Sequence, residues 1–263
     1  MKNKLFINFI IFALISLSSN LKAETIFFDS ENIRVEEDGN MIFATRGKAS
    51  IPSDNLIIEG DKFIYNKKFS ELIVIDNVKY YDDEKKIYIE SQKIIYNKIN
   101  NTIFSINETY INNNDVYKIY STNILYDRNF NKITSNKFTK ITEKSGNSFL
   151  FNKGLLFELV TEIISSKEVN VVDQNSNNYF FENSKIKLKN NEIIGKEVLV
   201  QFEDSFFGNE KNDPVLKGKS VISNNEETKI YKTVFSTCSK EDKSCRGWEV
   251  QSQIFTHDKI KKL

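Results

Sequence analysis

Apolar and polar residues alternate along most of this chain, and the alternation is organised into a unit that recurs. The segments Ser30-Glu-Asn-Ile-Arg-Val35, Gly60-Asp-Lys-Phe-Ile-Tyr65, Ser91-Gln-Lys-Ile-Ile-Tyr96 and Ser121-Thr-Asn-Ile-Leu-Tyr126 share one pattern. Val35, Tyr65, Tyr96 and Tyr126 follow one another at steps of 30, 31 and 30 residues. Each segment runs through a polar turn, such as Glu36-Glu-Asp-Gly-Asn40 or Asn66-Lys-Lys68, into a second apolar stretch (Met41 to Ala44, Leu72 to Ile75, Ile103 to Ile106). A period-two strand, a turn and a returning strand make a β-hairpin, and a hairpin repeated at fixed spacing predicts a stack of such units. A weaker copy follows at Ser184-Lys-Ile-Lys-Leu188, with Glu192 to Phe202 as its return. The one stretch that fits a helical period, Leu155 to Ser165, is rich in β-branched residues and reads better as strand.

Successive side chains of a strand point to opposite faces, so charged Arg34 and Lys187 in solvent place their neighbours on the inner face. That face carries Ile33 and Val35, Phe63 and Tyr65, Ile94 and Tyr96, Ile124 and Tyr126, Ile186 and Leu188. No single hairpin can bury such a face alone. The stack is expected to roll up, to pair into a sandwich, or to hold an apolar ligand in a trough open along its edge.

Composition narrows the class. With 9 Gly and 2 Pro against 21 Phe and 11 Tyr, the chain favours long regular strands over loops. Lys+Arg 37 against Asp+Glu 36 gives a formal charge of +1, so no global field attracts nucleic acid. The start has Lys2 and Lys4, an apolar run from Leu5 to Leu17, then small polar residues and Ala23. That is the layout of a secretory signal peptide over residues 1–23, with an uncleaved anchor as the alternative. Export places the rest where disulfides can form.

Catalytic signatures are missing from the pattern. His257 is the only histidine, and the sequence holds no G-x-S-x-G, Gly-rich phosphate loop or H-E-x-x-H. No enzyme activity, cofactor or metal is expected. Cys238 and Cys245 are the only cysteines and favour a disulfide over a zinc site, which needs more ligands; pairing to each other or to cysteines elsewhere both stay open. The segment from Phe206 to Gly218 reads as a boundary, with hairpin repeats over residues 24–207 and a different character over residues 208–263.

Beyond that boundary lie Asn212-Asp-Pro-Val-Leu-Lys-Gly-Lys-Ser220, Lys232-Thr-Val-Phe-Ser-Thr-Cys238, Cys245-Arg-Gly-Trp248 and Ile254-Phe-Thr-His-Asp-Lys259. These elements resemble the LptD family of outer-membrane lipopolysaccharide-assembly proteins, at the stretch that closes the periplasmic domain and leads into the barrel. The hairpin repeats resemble the OstA-type β-jellyroll of the same transport system. The resemblance covers residues 24–263 and implies an all-β, open β-roll. It further implies a periplasmic or outer-membrane location and a non-enzymatic role in passing lipopolysaccharide from a periplasmic bridge protein toward the cell surface. Its implied partners are lipopolysaccharide, the bridge protein through edge-to-edge strand addition, and an outer-membrane lipoprotein plug through a barrel. A chain ending at Leu263 has no room for that barrel and is expected to be the periplasmic part alone. Arg246-Gly247 stands where many relatives have Pro-Pro, and family cysteines of this domain can pair with the barrel. A soluble bridge protein of the same family and a structural or adhesive β-solenoid are the rival expectations.

Overall fold

The computed structural model describes residues 26–172, 178–201, 215–236 and 249–258, and these residues are all-β. The strands are β1 (Phe27–Glu36), β2 (Met41–Ile51), β3 (Leu56–Asn66), β4 (Glu71–Asp82), β5 (Ile87–Asn97), β6 (Thr102–Asn113), β7 (Tyr117–Thr122), β8 (Leu125–Asp127) and β9 (Lys132–Ser135). They continue with β10 (Thr139–Glu143), β11 (Ser148–Phe151), β12 (Leu155–Glu158), β13 (Ile163–Val172), β14 (Asn178–Lys187), β15 (Glu192–Gln201), β16 (Val215–Ser223), β17 (Glu227–Ser236) and β18 (Glu249–Asp258). All 18 belong to one sheet. The hairpins foreseen from the repeat are present, β1 turning at Glu37–Gly39 into β2 and β3 returning as β4. Asn55, Asn101, Asn131 and Asn191 take positive φ at the tight turns, a backbone that Asn tolerates better than other side chains carrying a Cβ. The ambiguous 155–165 stretch is neither a helix nor one strand: β12 turns at residues 159–162 into β13.

The strands are long, yet nearly all are interrupted at mid-length. Between β3 and β4 the register shifts at Glu59/Lys62, between β4 and β5 at Ile75/Val78, and between β5 and β6 at Ser91/Lys93. Arg46, Asp76, Asn77, Asn107, Asn123, Glu168, Glu197 and Lys232 take positive φ at the corresponding places of their own strands. Bulges bend a strand and increase its twist. A row of them in successive strands creases the whole sheet, and its two halves fold over to face each other. Phe28 of the first half accordingly packs against Phe63 and Tyr65 of the second, and Tyr117 against Phe157.

Backbone groups freed at the crease are taken up by small polar side chains. Ser105 Oγ accepts from the Ile124 amide and donates to its carbonyl, Thr109 donates to Ser105, and Ser121 shares hydrogen bonds with Ser135 and Thr139. Buried polar groups require such partners, so the hydroxyls are a condition of the bend. Where the crease is widest, the pairings close an antiparallel eight-strand barrel in the order β6, β7, β10, β11, β13, β12, β9, β8. Each of β7/β8, β9/β10 and β11/β12 is one long strand broken at the crease, so the ring's two arcs are the two half-sheets, and β6 and β13 span both. The remaining strands extend the ladder on either side. The expected boundary within 206–218 falls inside this single sheet, since β15 before it pairs with β16 after it.

Candidate functional site

Cross-strand partners in an antiparallel ladder share a face, so the pairings trace the inner surface residue by residue. One row runs Val35, Ile42, Tyr65, Leu72, Tyr96, Ile103, Tyr126, Ile133, Phe157, Ile164, Ile186, Ile193, Ser223, Thr228 and His257. Ile33, Ala44, Phe63, Val74 and Ile94 begin a parallel row on the same half-sheet. The inner face expected from alternation therefore exists, and it is continuous from the first described strand to the last.

What covers this face differs from the expectation of an open trough. Phe63, Tyr65, Ile94, Tyr96, Ile124, Tyr126, Ile186 and Leu188 are all buried in one apolar core that the chain's own side chains fill. Ile33 and Val35 lie in register with that core but remain 52% and 56% exposed, because β1 has a neighbour on one side only among the described residues. The core is sealed for a simple reason. The opposite half-sheet supplies its own apolar row, from Phe28, Ala49, Ile58 and Tyr80 through Ile89, Ile111 and Ile119 to Leu216, Phe235 and Val250. Folding over presses that row onto the first. At the far end Val250 and Phe255 of β18 continue the rows and are again exposed.

The margins opposite the crease are joined by polar contacts that the sequence did not reveal. Arg128, in the turn after β8, donates from Nε to Asp82 Oδ2 at 2.7 Å, from Nη1 to Asn101 Oδ1 at 2.8 Å and from Nη2 to the Asp54 carbonyl at 3.0 Å. Its side chain and that of Asp82 are 3% and 0% exposed. Tyr80 donates to the same Asp82 oxygen, and Tyr96 reaches Asp54 Oδ2 at 2.9 Å. Glu162 faces the Tyr117 hydroxyl across the same gap and, after burial, raises its pKa. Burial, then the charge of Asp82, holds the Tyr80 and Tyr126 hydroxyls in their neutral form well above the usual tyrosine range. For Arg128 burial opposes the charge, but the hydrogen bond with Asp82 and the surrounding oxygens outweigh it, so the guanidinium is held more firmly protonated.

Cys238, Cys245, Arg246, Gly247, Trp248 and the expected leader at residues 1–23 lie outside the described residues. Among the described residues no group of His, Cys, Asp and Glu is placed to hold a metal ion, and no helix is long and apolar enough to cross a membrane. His257 sits exposed on β18 opposite Thr228. No family model matches this chain, and no curated protein matches it significantly.

Proposed function

We propose that this chain is a non-enzymatic conduit for an acylated amphiphile, lipopolysaccharide by the resemblance to the LptD family, built on an OstA-like β-jellyroll at the periplasmic face of the outer membrane. The observation that carries the reading is the inner face, apolar over most of its length, which among the described residues is covered in the middle of the sheet and bare at both ends, at Ile33 and Val35 and at Val250 and Phe255. Acyl chains gain about 0.8 kcal/mol per buried CH₂, so bare apolar ends in register with a core are places where such chains can enter and leave without any reaction.

Exposed edge strands also invite pairing with another chain. The inner residues of the two edges are spaced alike, Phe28, Ile33 and Val35 on β1 against Val250, Phe255 and His257 on β18. A periplasmic bridge protein with the same repeat can therefore continue both rows across the β1 edge. A barrel beyond Leu263 would pass the cargo on beside its lipoprotein plug.

A second reading, a structural or adhesive β-solenoid, is favoured by the filled interior between the ends. Photo-crosslinking amino acids at Ile33 and Phe255 separate the two. Capture of lipopolysaccharide at these positions, with none at outward-facing Arg34 and Lys187, supports the conduit. Equal labelling of both faces, or none, leaves the solenoid.

A further inference from the structure

The buried interior poses a mechanical question. A sheet folded along a crease can open only where its two margins meet, and here the margins are fastened. Asp54 and Asp82 stand in or beside the turns of one margin, after β2 and β4. Asn101, Arg128 and Glu162 stand in turns of the other, after β5, β8 and β12. The partners are distant in sequence, 46 residues for Asp82 and Arg128 and 42 for Asp54 and Tyr96, so neither margin organises these contacts by itself.

Polar contacts are an unusual means of closing a core that apolar packing alone would seal. A buried ion pair often adds little over a hydrophobic pair of the same volume, because removing two charges from water offsets most of their attraction. What it does supply is geometry. Arg128 presents a planar fork whose Nε and two terminal nitrogens engage three separate acceptors on both margins, so the contact exists only at one separation of the margins. When the margins part, each of these groups can be hydrated in the widened gap. A hydrophobic seam would have no such substitute and would resist parting.

We propose that Arg128, Asp82 and Asp54, with the Tyr96 and Tyr117 hydroxyls, form a clasp that keeps the margins shut along the middle of the sheet, and that its release opens the inner rows to the solvent-facing slit. The inference deepens the conduit reading, since it identifies the barrier that a passing acyl chain must open. The crease serves as hinge. Its register shifts, positive-φ residues and hydroxyls concentrate the bend there.

The test is hydrogen exchange of the whole chain, in the absence of any lipid. In the Arg128→Gln variant, amides of β4, β5 and β8 should exchange at least about tenfold faster while those of β14 and β15 keep their rate. Tyr96→Phe/Tyr117→Phe, which leaves no buried charge unpaired, should show the same localised effect at smaller size, and it decides the matter if the arginine variant does not fold. In a Cys238→Ser/Cys245→Ser background, Tyr117→Cys and Glu162→Cys joined by a short bis-maleimide should restore slow exchange both to Arg128→Gln and to Tyr96→Phe. Unchanged exchange, a rise spread evenly over the sheet, or a cross-link that restores nothing would overturn the clasp. A clasp that behaves as described in a chain that captures no lipopolysaccharide would remove the conduit reading alone.

Discussion

Phe28 packs edge-on against Phe63, ring centroids 6.0 Å apart at 78°, joining the exposed first strand to the interior of the folded sheet. Phe63 in turn shares its row with Ile33, two strands away through Ala44. One row thus contains both a sealed and a bare position, and the contrast is measurable. Phe63→Ala should cost about 3–5 kcal/mol through lost burial and a cavity, whereas Ile33→Ala should stay within about 0.5 kcal/mol. Urea unfolding of the two variants checks this, and similar losses would mean that β1 is as well covered as β3.

The crease makes a second prediction. Gly154, between β11 and β12, has φ +78°, and a Cβ there would lie 2.1 Å from the Ser135 carbonyl oxygen. Neither the conformation nor the space suits another residue. Gly154→Ala should destabilise by roughly 1–3 kcal/mol for the backbone conformation alone, and more if the two strand breaks must separate. A thermal shift of less than a degree or two would show that the crease is slack.

These bulges also mark the limit of what alternation reveals. The face assignment from Phe63, Tyr96 and Tyr126 agrees with the observed register because each lies in the straight part of its strand. Ile58 and Phe63 are both buried at an odd separation, as are Ile89 and Ile94, which an unbroken strand forbids. A period-two reading loses its phase at the crease and misses the second apolar row. A small residue in mid-strand, such as Gly60, Ser91 or Ser105, is the signal that could have restored it. The contact of Arg128 with Asp82 had no such signal, since it depends on how far the two halves fold together.

The tyrosines buried beside Asp82 and Arg128 set an alkaline limit on stability. Tyr80 and Tyr126 have hydroxyl pKa values raised by burial above the ordinary 10.0. In the unfolded chain they release protons as pH passes about 10, while the folded protein still holds them. The unfolded state then binds fewer protons, and the free energy of unfolding falls with rising pH. The contribution is complete below pH 10 and is lost as pH climbs from there toward the folded-state values. Denaturant midpoints should fall above pH 10 and fall less steeply in Tyr126→Phe; identical slopes would show that another group governs the alkaline limit.

The exposed first strand offers a test that leaves the fold intact. Ile33 and Val35 are more than half exposed, so Ile33→Asp/Val35→Asp removes little packed volume and should shift stability by less than about 1 kcal/mol. A partner that adds its own strand to β1 would extend the inner rows over these two positions, and the introduced carboxylates would then be buried without countercharges. Uncompensated burial of charge is costly enough that affinity for the proposed jellyroll bridge protein should fall by well over about tenfold. Carboxylates at Arg34 and Asn32, on the same strand but facing away from the inner rows, provide the control and should weaken binding little. Surface-immobilised chain titrated with the bridge protein distinguishes the faces. Equal loss from both pairs would place the contact on the strand's outer surface, and no loss from either would move the docking site away from β1.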